Sequence, residues 1–153
     1  MQDFKSIIDD YYPILYKIGR SFTRDSADFE DLYQEMLIQI YHSLKNYRKE
    51  AKLSTWIYRV CLNTAMTYNR KQSKKSREMQ TDHLQQTEGE YSGEEAKEKE
   101  ARIELLYESI NELKKDDRAI ILLHLDGKKS DEISEILGIS ATNARVRFMR
   151  IKK

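Results

Sequence analysis

The sequence predicts an all-α protein of two small helical domains, an N-terminal helical bundle and a C-terminal helix-turn-helix, joined by a flexible linker. Three observations lead there. A single Pro and five Gly in 153 residues leave long helices almost uninterrupted. Apolar residues recur at spacings of three and four in two separate regions. Between those regions a polar stretch with Gly89 and Gly93 carries no periodic apolar residue, which marks a domain boundary. Residues 1–75 are therefore assigned to the first domain, 76–97 to the linker and 98–153 to the second. A hydrophobic fraction of 39% beside 35% charged residues suits modest cores rather than a disordered chain.

Residues 3–22 place Phe4, Ile7, Ile8, Tyr11, Leu15 and Ile18 on one side of a helix, and Pro13 predicts a kink or a restart near Tyr12. Gly19 and the polar run after it predict an end and a turn. The next helix is expected to start near Asp28 and to bury Phe29, Leu32, Met36, Ile40 and Leu44. Its outer side carries Asp31, Gln34, Glu35 and Ile38. Acids in a first turn complement the helix dipole, which accounts for Glu30 and Asp31. Gln34 and Glu35 beside an exposed Ile38 suit a protein partner better.

From Tyr47 to Lys71 the chain reads YRKEAKLSTWIYRVCLNTAMTYNRK, with Glu50 as its one acid. A helix from about Leu53 or Ser54, capped by Ser54 or Thr55, would bury Ile57, Val60, Cys61, Thr64 and Tyr68 and turn Arg59, Asn63, Thr67 and Arg70 outward. Rings that stack on bases, cations that follow phosphates and an amide that reads a base edge suit an unpaired nucleic-acid strand. A core helix with a solvated basic side is the alternative at this point.

The second domain starts with Ile103, Leu106, Tyr107, Ile110 and Leu113 at helical spacing. A helix from Arg118 to Leu125 follows, ended by Gly127. Ser130 can cap a short helix through Leu137 that Gly138 ends, and Ser140 can cap a last helix to the C-terminus. A short helix, a Gly-containing turn and a cationic second helix make a helix-turn-helix. Ile133, Ile136, Leu137, Ile139 and Phe148 would form its core. Thr142, Asn143, Arg145, Met149 and Arg150 would then face solvent or a major groove, on a helix without a single acid. Cations near a helix C-terminus also complement its dipole, but the turn before them favours DNA.

The net charge of +1 conceals acids gathered at 28–35 and 88–100 and cations gathered at 70–77 and 145–153, so local patches set the field. Cys61 is the only cysteine and lies on an apolar stripe, which excludes an intrachain disulfide and a Cys-based zinc site. His42, His83 and His124 lack metal-ligand spacing, and no metal or cofactor is expected. No His, Lys or Ser converges with the paired carboxylates, so no catalytic residue is assigned and an enzyme is not expected. The N-terminus has no basic segment followed by an apolar run and no stretch is apolar for long enough to span a bilayer. A cytoplasmic protein without membrane insertion is expected.

Three stretches in order resemble one family. Asp28 to Glu35, DFEDLYQE, resembles the DxEDLxQE motif of bacterial sigma factors. Ser54 to Val60, STWIYRV, with Asn63-Thr64-Ala65, is similar to their TWLYRI and NxA segment, and Asp131 to Ser140, DEISEILGIS, is similar to the EIAEILGIS of their fourth conserved region. The short length, with only these two regions and a linker, points to the extracytoplasmic-function subgroup. The resemblance implies that the first domain is region 2, in which Asp31, Gln34, Glu35 and Ile38 would bind the clamp coiled coil of core RNA polymerase. Tyr47, Arg48, Lys52, Ser54, Trp56, Arg59 and Asn63 would open the −10 element and hold its non-template strand. The second domain would be region 4, docking on the polymerase flap and reading the −35 element through Ser140, Thr142, Asn143, Arg145, Arg147, Met149 and Arg150. The implied partners are core polymerase, promoter DNA and an anti-sigma factor. Ser134 stands where the family has Ala and Ala144 where a branched residue packs, which predicts a looser helix-turn-helix core. The rival reading from another class is a free-standing regulator that binds operator DNA without polymerase.

Overall fold

The structure is a computed structural model that describes residues 3–47, 52–75 and 94–151, with side chains up to residue 68 in the second range. Seven helices and no strand occur among the described residues: α1 (Phe4–Ser21), α2 (Ser26–Leu44), α3 (Leu53–Lys75), α4 (Glu94–Glu112), α5 (Lys115–Leu125), α6 (Ser130–Leu137) and α7 (Ala141–Ile151). Helices α1 to α3 pack as an N-terminal bundle and α5 to α7 form the C-terminal unit. The two lobes are in contact. Ala119, Leu122, Leu123, Ile133, Ile136 and Ala144 join Ile7, Leu15, Leu32, Met36, Ile57 and Cys61 in one buried cluster.

Helix α1 is capped by Asp3, whose carboxylate accepts the Ser6 N–H at 2.8 Å. It runs unbroken through Pro13, so the expected restart near Tyr12 does not occur. Ile7 on one side of the proline and Leu15 and Ile18 on the other are all buried, and packing on both flanks outweighs the missing hydrogen bond. Gly19 is not a helix end either. It lies inside α1, where an added Cβ would stand 2.6 Å from Cε2 of Phe29, so its missing side chain makes room for an aromatic ring of α2. The end of α1 is closed by hydroxyls: Ser21 donates to the Lys17 carbonyl and Thr23 to that of Gly19, each at 2.7 Å.

Helix α2 begins at Ser26, two residues earlier than expected, because the Asp25 carboxylate accepts the Asp28 N–H at 2.8 Å. Leu32, Met36 and Ile40 are fully buried, as their spacing predicts, while Phe29 and Leu44 are half-buried. Helix α3 starts at Leu53, where Trp56 N–H bonds the Lys52 carbonyl at 3.0 Å, and Ser54 and Thr55 are helical residues rather than caps. Its buried side is Ile57, Tyr58, Cys61, Leu62 and Ala65, rotated from the expected stripe. Val60, Thr64 and Tyr68 are only half-buried. The rotation has a tertiary cause: α5 and α6 pack on the Tyr58 side of α3, a contact no local periodicity encodes.

In α4 the packed part is the turn around Ile110 and Asn111, and Ile103 and Leu106 stay exposed. The Asn111 carbonyl accepts from Arg118 at 2.8 Å and from Arg24 at 3.1 Å, which ties this helix end to both lobes. Helix α6 starts at Ser130 with Lys129, not Ser130, in the cap position, and the Glu132 carboxylate accepts the Lys129 N–H at 3.4 Å. Gly138 ends it in the left-handed conformation, φ 72°. Ser140 caps α7 by accepting the Asn143 N–H at 3.0 Å. The two positions expected to loosen this unit are both engaged in it. The Ser134 hydroxyl donates to the Ile139 carbonyl and braces the turn, and Ala144 is fully buried between helices. No helix among the described residues is long and apolar enough to cross a membrane, and no group of three or more His, Cys, Asp or Glu among them could hold a metal ion.

Two outcomes test this packing. Gly19→Ala should lower stability in urea unfolding by ~1–2 kcal/mol, although alanine favours a helix by about 1 kcal/mol, because the ring of Phe29 has to move; a net gain would contradict the contact. Burial pushes the Cys61 thiol up to about 12, so the thiolate is scarce throughout the physiological range. Labelling by a thiol reagent at pH 8 should be at least ~100-fold slower in the native chain than in denaturant.

Candidate nucleic-acid interface

Because Leu32, Met36 and Ile40 turn one face of α2 into the core, residues 31, 34, 35 and 38 are carried to the opposite face. Asp31, Gln34 and Glu35 are exposed there, and Ile38 is 46% exposed, a large apolar side chain left open. These four form one wall of a groove of about 600 Å³ whose other wall is α3, through Val60, Asn63, Thr64, Thr67 and Tyr68. Of the residues predicted for the −10 surface, Asn63 lines this concavity, opposite the α2 patch. Thr64 and Thr67 donate to their own helix, to the carbonyls of Val60 and Asn63, so the exposed amide of Asn63 is the group on this wall most open to a ligand.

At one end of the groove Tyr68 donates to the Asp28 carboxylate at 3.3 Å. Burial first, then the charges of Asp28 and Asp31, push the Tyr68 hydroxyl up, and it stays a donor. Burial and the neighbouring Asp25 in turn push the Asp28 carboxyl up.

Where the chain enters α3, the rings of Tyr47 and Trp56 lie 5.0 Å apart and inclined by 36°. Trp56 also packs against the bundle core. Lys52 is exposed beside them and Ser54 is half-buried in the first turn. Arg48 lies outside the described residues, as do residues 76–93 of the linker, His83, the side chain of Arg70 and the terminal Lys152 and Lys153, whereas residues 94–97, assigned to the linker from sequence, are the first turn of α4. Arg59 is turned away from the groove: its guanidinium donates to the Glu135 carbonyl of α6 at 2.8 Å.

On α7, Ala144 faces inward and Phe148 stacks on His124 at 3.6 Å. Thr142, Asn143, Arg145, Met149 and Arg150 are therefore exposed together. Arg147 points elsewhere and pairs with Asp116 of α5 at 3.8 Å. Sequence reasoning missed Tyr58, Lys17 and Asp126, which meet between the lobes. Their only local signal is a lone acid beside Gly127 in a turn.

Residues 7–75 match the Sigma-70 region 2 family and residues 103–153 match Sigma-70, region 4. The chain is 30% identical over 138 residues to the ECF RNA polymerase sigma-E factor of Escherichia coli, covering 84% of this chain and 72% of that protein. It is 26% identical over 147 residues to the RNA polymerase sigma factor SigV of Bacillus subtilis, covering 95% and 84%. Among solved structures it resembles the sigma factor RpoE of Bartonella quintana, solved with the anti-sigma factor NepR, at a TM-score of 0.74 and 18% identity over 99% of this chain and 93% of that one. It also resembles CnrH, solved with the cytosolic domain of CnrY, at 0.66 and 19% over 97% and 82%.

Proposed function

The chain belongs to the extracytoplasmic-function (ECF) group of the sigma-70 family, and from that membership we propose how its surfaces divide the work of promoter recognition. It is an RNA polymerase sigma factor, which binds the core enzyme, directs it to specific promoters and promotes strand opening. One observation carries the assignment of surfaces. Asp31, Gln34, Glu35 and Ile38 share a single groove with Asn63, so a coiled coil docked on α2 lies beside the helix that handles DNA. Core polymerase takes the α2 wall. The −10 element takes the loop and α3, with Tyr47 and Trp56 as a stacking platform and Lys52 and Arg48 along the phosphates.

Extruding a base costs a few kcal/mol, and stacking on an aromatic side chain returns ~1–3 kcal/mol per base. Binding energy alone can therefore drive opening once polymerase holds the strand in place. No hydrolysed nucleotide is required, and the chain is read as a binding subunit, as sigma factors generally are. The exposed face of α7, centred on Arg145, takes the −35 element through the major groove. An anti-sigma factor is a further partner, supported by the RpoE–NepR likeness, and the cytoplasm is the compartment in which all of these meet. An operator-binding regulator that works without polymerase is not favoured, since it leaves the region 2 match without a role.

Asp31→Ala with Glu35→Ala should reduce retention on immobilised core polymerase at least tenfold while leaving stability within about 0.5 kcal/mol, both positions being exposed. Unchanged retention would remove the α2 patch from the interface. Arg145→Ala should cost about 1–3 kcal/mol in promoter binding and change preference at one base pair. Arg147→Ala should instead weaken binding by a similar factor on every sequence, since its guanidinium is held toward Asp116. A selection on randomised −35 sequences separates the two patterns.

A further inference from the structure

Two arginines converge where α4 ends. The Asn111 carbonyl accepts from Nη2 of Arg118 at 2.8 Å and from Nη2 of Arg24 at 3.1 Å, so those two nitrogens lie within about 6 Å of each other. Arg118 also donates its Nε–H to the Leu113 carbonyl at 2.7 Å, and its guanidinium lies 5.6 Å from the centre of the Phe22 ring, so its fork is held in place. Burial, and after it the neighbouring Arg24, push the Arg118 guanidinium down from its ordinary value: the two cations repel, yet both stay charged. Lys114, whose carbonyl accepts the Arg118 N–H at 2.9 Å, is exposed and adds a third cation nearby.

No acid offsets this cluster. The ion pairs among the described residues are Lys17–Asp126, Arg102–Glu98, Lys128–Glu132 and Arg147–Asp116, and neither Arg24 nor Arg118 belongs to one. The carbonyls at a helix end carry together only about half an elementary charge, which leaves most of two positive charges uncompensated. Each guanidinium has five N–H donors. Arg118 commits two of them and Arg24 one, and the others have no partner among the described residues. Arg24 is exposed and Arg118 half-buried, so the pair is open to solvent from the Arg24 side.

The charge and the donors select the ligand. A carboxylate, with two oxygens and one charge, satisfies a single fork. A terminal phosphate brings about −1.5 to −2 charges at neutral pH and three acceptor oxygens, enough to face both forks at once. A phosphodiester of DNA brings only one charge, and neither arginine lies on α3 or α7, the helices assigned to DNA. We propose that Arg24 and Arg118 form a receptor for the phosphate group of a small molecule, either the free ion or the terminal group of a phosphorylated metabolite. The receptor does not rest on the sigma-factor reading.

The test is isothermal titration calorimetry of the full chain with inorganic phosphate, glycerol 3-phosphate and acetate at constant ionic strength. One site per chain should take both phosphates ~tenfold or more tightly than acetate, and more tightly near pH 7.5 than near pH 5.5, where the dianion is scarce. Equal affinity for the two phosphates identifies the free ion as sufficient, and tighter binding of glycerol 3-phosphate identifies the esterified form; both support the receptor. Arg24→Gln, an exposed change that keeps a donor for the Asn111 carbonyl, should lower phosphate affinity ~tenfold or more with helical circular dichroism retained. Arg24→Lys, which keeps the charge and loses the fork, should fall between Arg24→Gln and the parent. Lys5→Gln, which removes an exposed cation of α1, should change affinity by less than about twofold. Phosphate bound no more tightly than acetate overturns the receptor, as does an affinity unchanged in Arg24→Gln. An equal loss in Lys5→Gln and Arg24→Gln overturns it too, since that is unspecific attraction to surface cations. Polymerase enters none of these titrations, so a chain that fails to bind core enzyme leaves their result standing.

Discussion

Helix α3 packs on three sides at once. Ile57, Cys61, Leu62 and Ala65 bury it against α1 and α2, and Tyr58 buries it against the C-terminal lobe. Everything functional is placed relative to that helix. The groove is its open edge beside α2, the aromatic pair stands at its entrance, and the interlobe joint lies along Tyr58 and Arg59. Displacing α3 by one residue would rotate each of these by about 100°, so the burial of its apolar stripe fixes the spacing among surfaces that never touch.

Much of this was legible in the chain. The burial of Leu32, Met36 and Ile40 follows from spacing alone, and with it the outward placement of Asp31, Gln34, Glu35 and Ile38. The helix-turn-helix was legible for the same reason, since Gly138 and Ser140 punctuate it chemically. What escaped depends on partners distant in sequence. Val60, Thr64 and Tyr68 were expected in the core and instead line the groove, because the C-terminal lobe claims the Tyr58 side of α3. Gly19 reads as punctuation until Phe29 is seen against it. Pro13 reads as a break until burial on both of its flanks is known. Arg147 is chemically indistinguishable from Arg145 in sequence, and Asp116, a residue of another helix, separates them.

The energetics suit a protein that acts only in assembly. Each surface proposed to read DNA is small: one aromatic pair with an exposed amide on the first lobe, and one short helix face on the second. Weak sites joined in one chain gain affinity when a third body holds them at the spacing of their targets, and gain nothing when they are held at the wrong spacing. On the proposed reading core polymerase is that third body.

Transcription reconstituted from purified core polymerase, this chain and a library of randomised promoters tests the whole account most directly. New start sites should appear only when chain and core are combined, share two conserved elements upstream, and show permanganate-reactive thymines around the upstream edge of the bubble. Start sites unchanged by the chain, together with tight binding to duplex DNA in the absence of core, would contradict it.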